Sequence, residues 1–262
     1  MKIVVITGEE SGDYLGAALL SALEKLYDQK LDIYGIGGKA LKNKGIKNFY
    51  DISEINVMGI VEVIPKLFHI KKIINNTVSK TLDLKPDIVL TIDSPDFTLR
   101  IAKKLKKKDN SLKIIHFVAP SVWMWRSGRI KTVKQSIDHL LTILPFEKEI
   151  FEKENIDTTF VGHPITEINV QDYSSSKLNE LSSNIKKEIM LILPGSRRKE
   201  VEKLLPIYLE SIRQSHWRDK FDIVIPATEN MYELIKNISK NKFKDIETTI
   251  LRNEEQKLKA FN

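Results

Sequence analysis

The sequence of 262 residues contains no cysteine. That absence excludes disulfides, thiolate metal sites and a cysteine nucleophile together. Histidine is scarce: His69, His116, His139, His163 and His216 are scattered without ligand spacing, so little could build a structural zinc site. No apolar run reaches the ~18 residues that a membrane-spanning helix needs. Met1-Lys2-Ile3 leads straight into a strand, with no basic and then apolar leader. The expectation is a cytoplasmic protein with neither a span nor a signal peptide.

What is present is a globular composition, 42% hydrophobic and 29% charged, long enough for one large or two ordinary domains. The net charge of +7 comes mainly from lysine and suits anionic substrates or an anionic membrane surface as well as plain solubility. The lysines are dispersed and no motif that reads RNA or DNA occurs, so no nucleic-acid partner is expected.

The run Ile88–Ile92 is short, β-branched and almost wholly apolar, as a parallel strand covered on both faces requires. It ends at Asp93-Ser94-Pro95-Asp96-Phe97. In open α/β sheets ligands gather beyond the carboxyl ends of strands, so Asp93 is a candidate catalytic carboxylate. Asp96 is expected to cap a helix beginning near Phe97. Residues 2–7 form another such strand, followed by the turn Gly8-Glu9-Glu10-Ser11-Gly12-Asp13 and an apolar-periodic helix through Leu19, Leu20, Leu23 and Leu26. Glycines there allow close backbone approach, and free N–H groups at the helix start suit an anion or a sugar hydroxyl. The turn is not a GxGxxG pattern.

Further strands are expected over 31–38, 113–118, 139–144 and 158–161. Between residues 57 and 74 two apolar stripes are available. Ile60, Val63, Leu67, Ile70 and Ile74 suit a core, while Val57, Val61, Ile64 and Phe68 lie ~100° away. The second stripe, bordered by Lys66, Lys71 and Lys72, could press into a membrane interface or cover an ordinary loop. Pro65 favours a helix that begins around it. The loop Ala119–Arg129 holds Trp123 and Trp125 beside Arg126 and Arg129; indole faces suit sugar rings or acyl chains, and guanidinium suits phosphate. The alternative is that the indoles wedge between helices and the arginines are solvated.

From residue 166 to 187 the composition turns to Ser, Asn, Lys and Glu, which marks a linker between residues 1–165 and 188–262. The second part opens with the strand at 188–193, then Gly195-Ser196-Arg197-Arg198-Lys199-Glu200 and a helix over 201–213. Backbone N–H groups, a hydroxyl and guanidinium converge there in a candidate diphosphate cradle. Two more strands are expected at 221–227 and 246–251.

In order and spacing these segments resemble the bacterial lipid-A-disaccharide synthases, glycosyltransferases built of two Rossmann-like α/β domains (the GT-B type). The resemblance rests on Gly8-Glu9-x-Ser11-Gly12-Asp13, Met58-Gly59-Ile60-Val61-Glu62-Val63, Ile92–Phe97, Pro120-Ser121-Val122-Trp123-x-Trp125-Arg126, Leu144-Pro145-Phe146-Glu147, Val161-Gly162-His163-Pro164 and Leu193-Pro194-Gly195-Ser196-Arg197. It implies transfer from UDP-2,3-diacylglucosamine to 2,3-diacylglucosamine 1-phosphate with inversion, without a metal or other cofactor. Asp93 would then be the general base for the acceptor hydroxyl. Gly8, Glu9, Ser11, Gly12, Asp13, Ser121, Trp123, Trp125 and Arg126 would line the acceptor side. Gly195, Ser196, Arg197 and Glu200 would hold the nucleotide diphosphate. Val57, Ile60, Val61, Ile64, Leu67, Phe68, Lys71 and Lys72 would dock the protein on anionic lipid at the cytoplasmic face of the inner membrane. Glu10, Thr98 and Met124 depart from the family pattern. Family members run on for about another half-domain, so the second domain is expected to be incomplete in this sequence. A UDP-N-acetylglucosamine 2-epimerase and an inactive lipid-binding fragment are the competing readings.

Overall fold

The computed structural model describes residues 1–27, 30–55, 63–123, 128–167, 187–216, 219–253, 256–257 and 260, with the backbone alone for 63–67. The chain divides into two compact units, Met1–Glu167 and Ile168–Asn262.

The first unit is built on a seven-stranded parallel sheet. Its strands are β1 (Lys2–Thr7), β2 (Asp32–Gly37), β3 (Lys47–Asp51), β4 (Ile88–Ile92), β5 (Ile114–Phe117), β6 (His139–Thr142) and β7 (Thr158–Phe160), in the order β3-β2-β1-β4-β5-β6-β7. Helices α1 (Glu10–Leu26), α2 (Lys39–Asn43), α3 (Val63–Leu84), α4 (Pro95–Lys108), α5 (Arg129–Ser136) and α6 (Glu147–Glu152) make the connections. The apolar runs of β1 and β4 form strands because both their faces are covered. Val4, Ile6 and Val89 enter a core with Ile73, Val78, Ile101 and Leu105 of α3 and α4. Ile3, Val5, Leu90 and Ile92 enter a second core with Leu15 and Leu20 of α1. Each such side chain, fully buried, contributes roughly 1.5–3 kcal/mol.

Strand β3 escapes the sequence reading. It is an edge strand whose side chains are half-buried or exposed, with Lys47 paired to Asp32 at 2.7 Å and Asp51 to Lys42 at 2.5 Å. Its polar ends carry no continuous apolar signal, and solvent on one side demands none. Helix α3 is described from Val63 to Leu84, with Pro65 in its first described turn.

The second unit repeats the first three strands of this scheme. Strands β8 (Glu188–Leu191), β9 (Phe221–Pro226) and β10 (Thr248–Leu251) pair in parallel in the order β10-β9-β8, with α7 (Arg198–Gln214) and α8 (Tyr232–Lys242) between them. Val201, Leu205, Leu209 and Ile212 of α7 bury one stripe against Ile223, Ile225, Ile235 and Phe243. Arg213 ties the helix ends together, reaching Asp245 at 2.8 Å and the Lys242 carbonyl at 2.9 Å while its guanidinium stacks on Phe243.

Candidate active site at the carboxyl rim of the first sheet

The order of connection reverses between β1 and β4, where Thr7 and Ile92 are register partners. At such a switch point the loops leaving two neighbouring strands diverge and open a crevice. Here the loops are Gly8–Glu9, followed by Ser11 in the first turn of α1, and Asp93–Ser94. They lie so close that a Cβ on Gly8 would stand 2.7 Å from Ser94 Cβ, so only glycine fits. Gly12 gives the start of α1 a similar approach to the Ile92 carbonyl.

Asp93 and Ser94 both adopt left-handed backbone, with φ of +49° and +43°. Two consecutive non-glycine residues in that region cost on the order of 1–3 kcal/mol each, so neighbouring contacts must hold them. The Asp93 N–H donates to the Phe117 carbonyl of β5 at 2.9 Å, and the Phe97 and Thr98 N–H groups close on the Ser94 carbonyl at 2.8 and 3.0 Å. The carboxylate of Asp93 remains partly open to solvent and accepts from Ser11 Oγ at 3.2 Å. A carboxylate with one hydroxyl partner and a solvent-facing side can take a proton from a bound hydroxyl.

Helix α4 starts at Pro95 with Ser94 as its N-cap, so Asp96 is not the cap that the sequence suggested. Its carboxylate instead meets Arg129 Nη2 of α5 at 2.5 Å. Arg129 is thus engaged with protein.

Asp13 is turned inward. Only 4% exposed, its carboxylate accepts the N–H groups of Gly38 at 2.6 Å, Ala40 at 2.8 Å and Leu41 at 3.2 Å. It therefore caps α2 from the first turn of α1 and locks the β2–α2 turn beside the glycine loop. That latch was not legible in the sequence, because its partners lie 25–28 residues away. Glu9 is the N-cap of α1 without a side-chain capping bond.

The rim continues along β5 and β6. Ser121 is exposed, and Trp123, 37% exposed, packs edge-on against Phe146 with centroids 5.1 Å apart. The pair presents aromatic surface beside Leu144, itself 39% exposed. Beneath it Glu147 folds back to accept the Ile143 and Leu144 N–H groups at 3.2 and 2.9 Å. Burial pushes its carboxyl pKa up, and these two N–H groups oppose the shift. Trp125 and Arg126 lie outside the described residues, as do Val57, Ile60 and Val61; the side chains of Ile64 and Leu67 do too. Phe68 is 68% exposed, with Lys71 and Lys72 exposed beside it on α3.

In the second unit Gly195 occupies the place that Gly8 holds in the first, just before the first helix. It has φ +110°, and a Cβ there would meet Glu200 Oε2 at 2.6 Å. Ser196 and Arg197 are exposed. Glu200 accepts from the Arg197 N–H at 3.3 Å and from its Nη1 at 3.4 Å, so a carboxylate now covers the helix start where an anion would bind. Among the described residues no three His, Asp or Glu side chains converge as metal ligands would, and no helix is long and apolar enough to cross a membrane.

A family model described as Lipid-A-disaccharide synthetase matches residues 3–261. The lipid-A-disaccharide synthase of Ruegeria pomeroyi is 41% identical over 218 residues, covering 82% of this chain and 53% of that protein. Those of Alcanivorax borkumensis and Rickettsia bellii are 40% and 39% identical, covering 86% and 89% of this chain and 58% and 62% of theirs. The chain thus spans little more than half the length of these curated relatives. Among solved structures, a UDP-GlcNAc 2-epimerase from Neisseria meningitidis bound to UDP-GlcNAc matches with TM-score 0.66 at 16% identity, over 100% of this chain and 75% of that one. The UDP-N-acetylglucosamine 2-epimerase of Rickettsia bellii matches with TM-score 0.63 at 14% identity, over 99% and 71%. At such identities the likeness shows the fold alone, two Rossmann-like α/β units of the GT-B type.

Proposed function

The chain belongs to the lipid-A-disaccharide synthetase family, and from that premise we propose that it works as an inverting glycosyltransferase of lipid A biosynthesis. The donor is UDP-2,3-diacylglucosamine and the acceptor 2,3-diacylglucosamine 1-phosphate; the products are UDP and a β-1,6-linked disaccharide. Asp93 takes the proton of the acceptor 6-hydroxyl as that oxygen attacks the anomeric carbon. The observation that carries this reading is the Asp93 carboxylate, held at the switch point on a left-handed turn and oriented by Ser11.

Ser11, the glycine loop, Ser121 and Trp123 form the acceptor side in this reading. Gly195, Ser196 and Arg197 hold the departing diphosphate, with Glu200 swinging off the helix start to admit it. Phe68, Lys71 and Lys72 belong to a docking surface for anionic lipid at the cytoplasmic face of the inner membrane, which the exposure of all three supports.

UDP release from the two acylated sugars tests the proposal. Asp93→Ala is expected to abolish release above background while circular dichroism stays unchanged. Wild-type turnover in that variant would remove Asp93 from the mechanism. Turnover of unacylated UDP-N-acetylglucosamine instead would favour an epimerase, and sedimentation with acidic vesicles without UDP binding would reduce the chain to a lipid-binding fragment.

A further inference from the structure

The strained turn at Asp93 is held at a further acceptor, the Asp93 carbonyl. It receives the hydroxyl of Thr98 at 2.6 Å, and the same Oγ1 lies 3.1 Å from the Ser94 carbonyl. Thr98 is completely buried in the first turn of α4. A helical threonine ordinarily bonds back to the carbonyl four residues earlier, which here is Ser94. The shorter bond instead goes one residue further, past the helix start and onto the residue that bears the carboxylate. Each of the two left-handed residues thus has its carbonyl gripped by one hydroxyl.

We infer that Thr98 is a positioning residue whose hydroxyl clamps the Asp93 and Ser94 carbonyls in the left-handed turn and so keeps the Asp93 carboxylate at Ser11. Ser94 does not supply this clamp, since its own Oγ is buried without a partner among the described residues. Without the Thr98 hydroxyl the Asp93 carbonyl loses its described donor, and the backbone bonds to Phe117 and Ser94 hold only the Asp93 N–H and the Ser94 carbonyl, so the Asp93 peptide is free to turn back toward negative φ. The carboxylate would then swing off the line to Ser11. The catalytic consequence rests on Asp93 being the base; the conformational consequence does not.

The two are separated by reading conformation and turnover on the same full-length variants. Thr98→Val removes the hydroxyl at nearly constant volume, and Thr98→Ser keeps it. Three-bond HN–Hα couplings and backbone carbon shifts of Asp93 and Ser94, which report φ, are expected to leave their wild-type values in the valine variant and to keep them in the serine variant. UDP release is expected to fall about ten- to a hundredfold in kcat with Thr98→Val, as for a reacting group misplaced by a fraction of an ångström, with acceptor KM unchanged and serine restoring the rate. Wild-type couplings in Thr98→Val would overturn the clamp whether or not the chain turns over. Equal displacement in the serine variant would overturn it as well, because the methyl group would then be the holding element. Displaced couplings with unaltered UDP release would uphold the clamp and discard Asp93 as base. If valine prevents folding, Thr98→Ser and Thr98→Ala, which differ by the hydroxyl alone, supply the same contrast.

Discussion

Removing the Asp13 carboxylate should unlock the first unit rather than merely weaken a ligand contact. Asp13→Ala deletes the acceptor for three backbone N–H groups, of which those of Gly38 and Leu41 form buried bonds and that of Ala40 a partly buried one. Each N–H left buried without a partner costs about 1–3 kcal/mol, and water can reach only the Ala40 group easily. Two stranded donors therefore imply a loss of about 4 kcal/mol, a large share of the 5–15 kcal/mol typical of a domain. At ~2–4 °C per kcal/mol for a unit of this size, the melting temperature should drop by about 8–16 °C. The assay is urea unfolding followed by near-ultraviolet circular dichroism, with Asp13→Asn recovering part of the loss because its amide keeps one carbonyl oxygen. A stability change under ~1 kcal/mol, especially together with a raised acceptor KM, would refute the latch and return Asp13 to the binding surface.

Two further outcomes follow from the same geometry. Gly8→Ala should cost about 1–3 kcal/mol and most of the UDP release, because the new methyl would meet Ser94 Cβ at 2.7 Å and its Oγ at 2.8 Å and must displace that side chain and the turn that bears it; a crystal structure of the variant would display the shift. His116 is wholly buried on β5, bonded through Nδ1 to Thr91 Oγ1 at 2.9 Å, and burial pushes its pKa down to about 4. The unfolded chain, near 6.5, then binds more protons than the folded one between those values, so stability falls as pH drops from about 6.5 toward 4, by up to ~3 kcal/mol. Urea midpoints measured across that range should show the slope in the wild type, and Asn in place of His116 should flatten it.

The strands that carry the site were legible because a parallel strand buried on both faces must be a short apolar run. Ile88–Ile92 and Lys2–Thr7 match that requirement residue for residue. The loops were legible as well: a carboxylate closing β4 and glycines after β1 and β8 announce chemistry and close approach by residue type alone. Strand β3 was not, since an edge strand with half-exposed side chains obeys no apolar pattern. Nor was the N-cap of α4. Asp96 is the residue type that caps, but Pro95 can take the first helical position, which moves the boundary back to Ser94 and frees Asp96 for Arg129.

The amino-acid sequence by itself determined the buried strands β1 and β4, the glycine turns that follow β1 and β8, and the family. All of these depend on local patterns or on motifs that need no partner. Only the tertiary structure decided that β4 lies beside β1, that Asp13 faces inward to Gly38, that Glu200 covers its own helix start and that Thr98 grips the Asp93 carbonyl. These are directions of single polar groups. A hydrogen bond chooses among acceptors only when packing has brought them within about 3 Å, and a side chain's own identity does not reveal which one will be there.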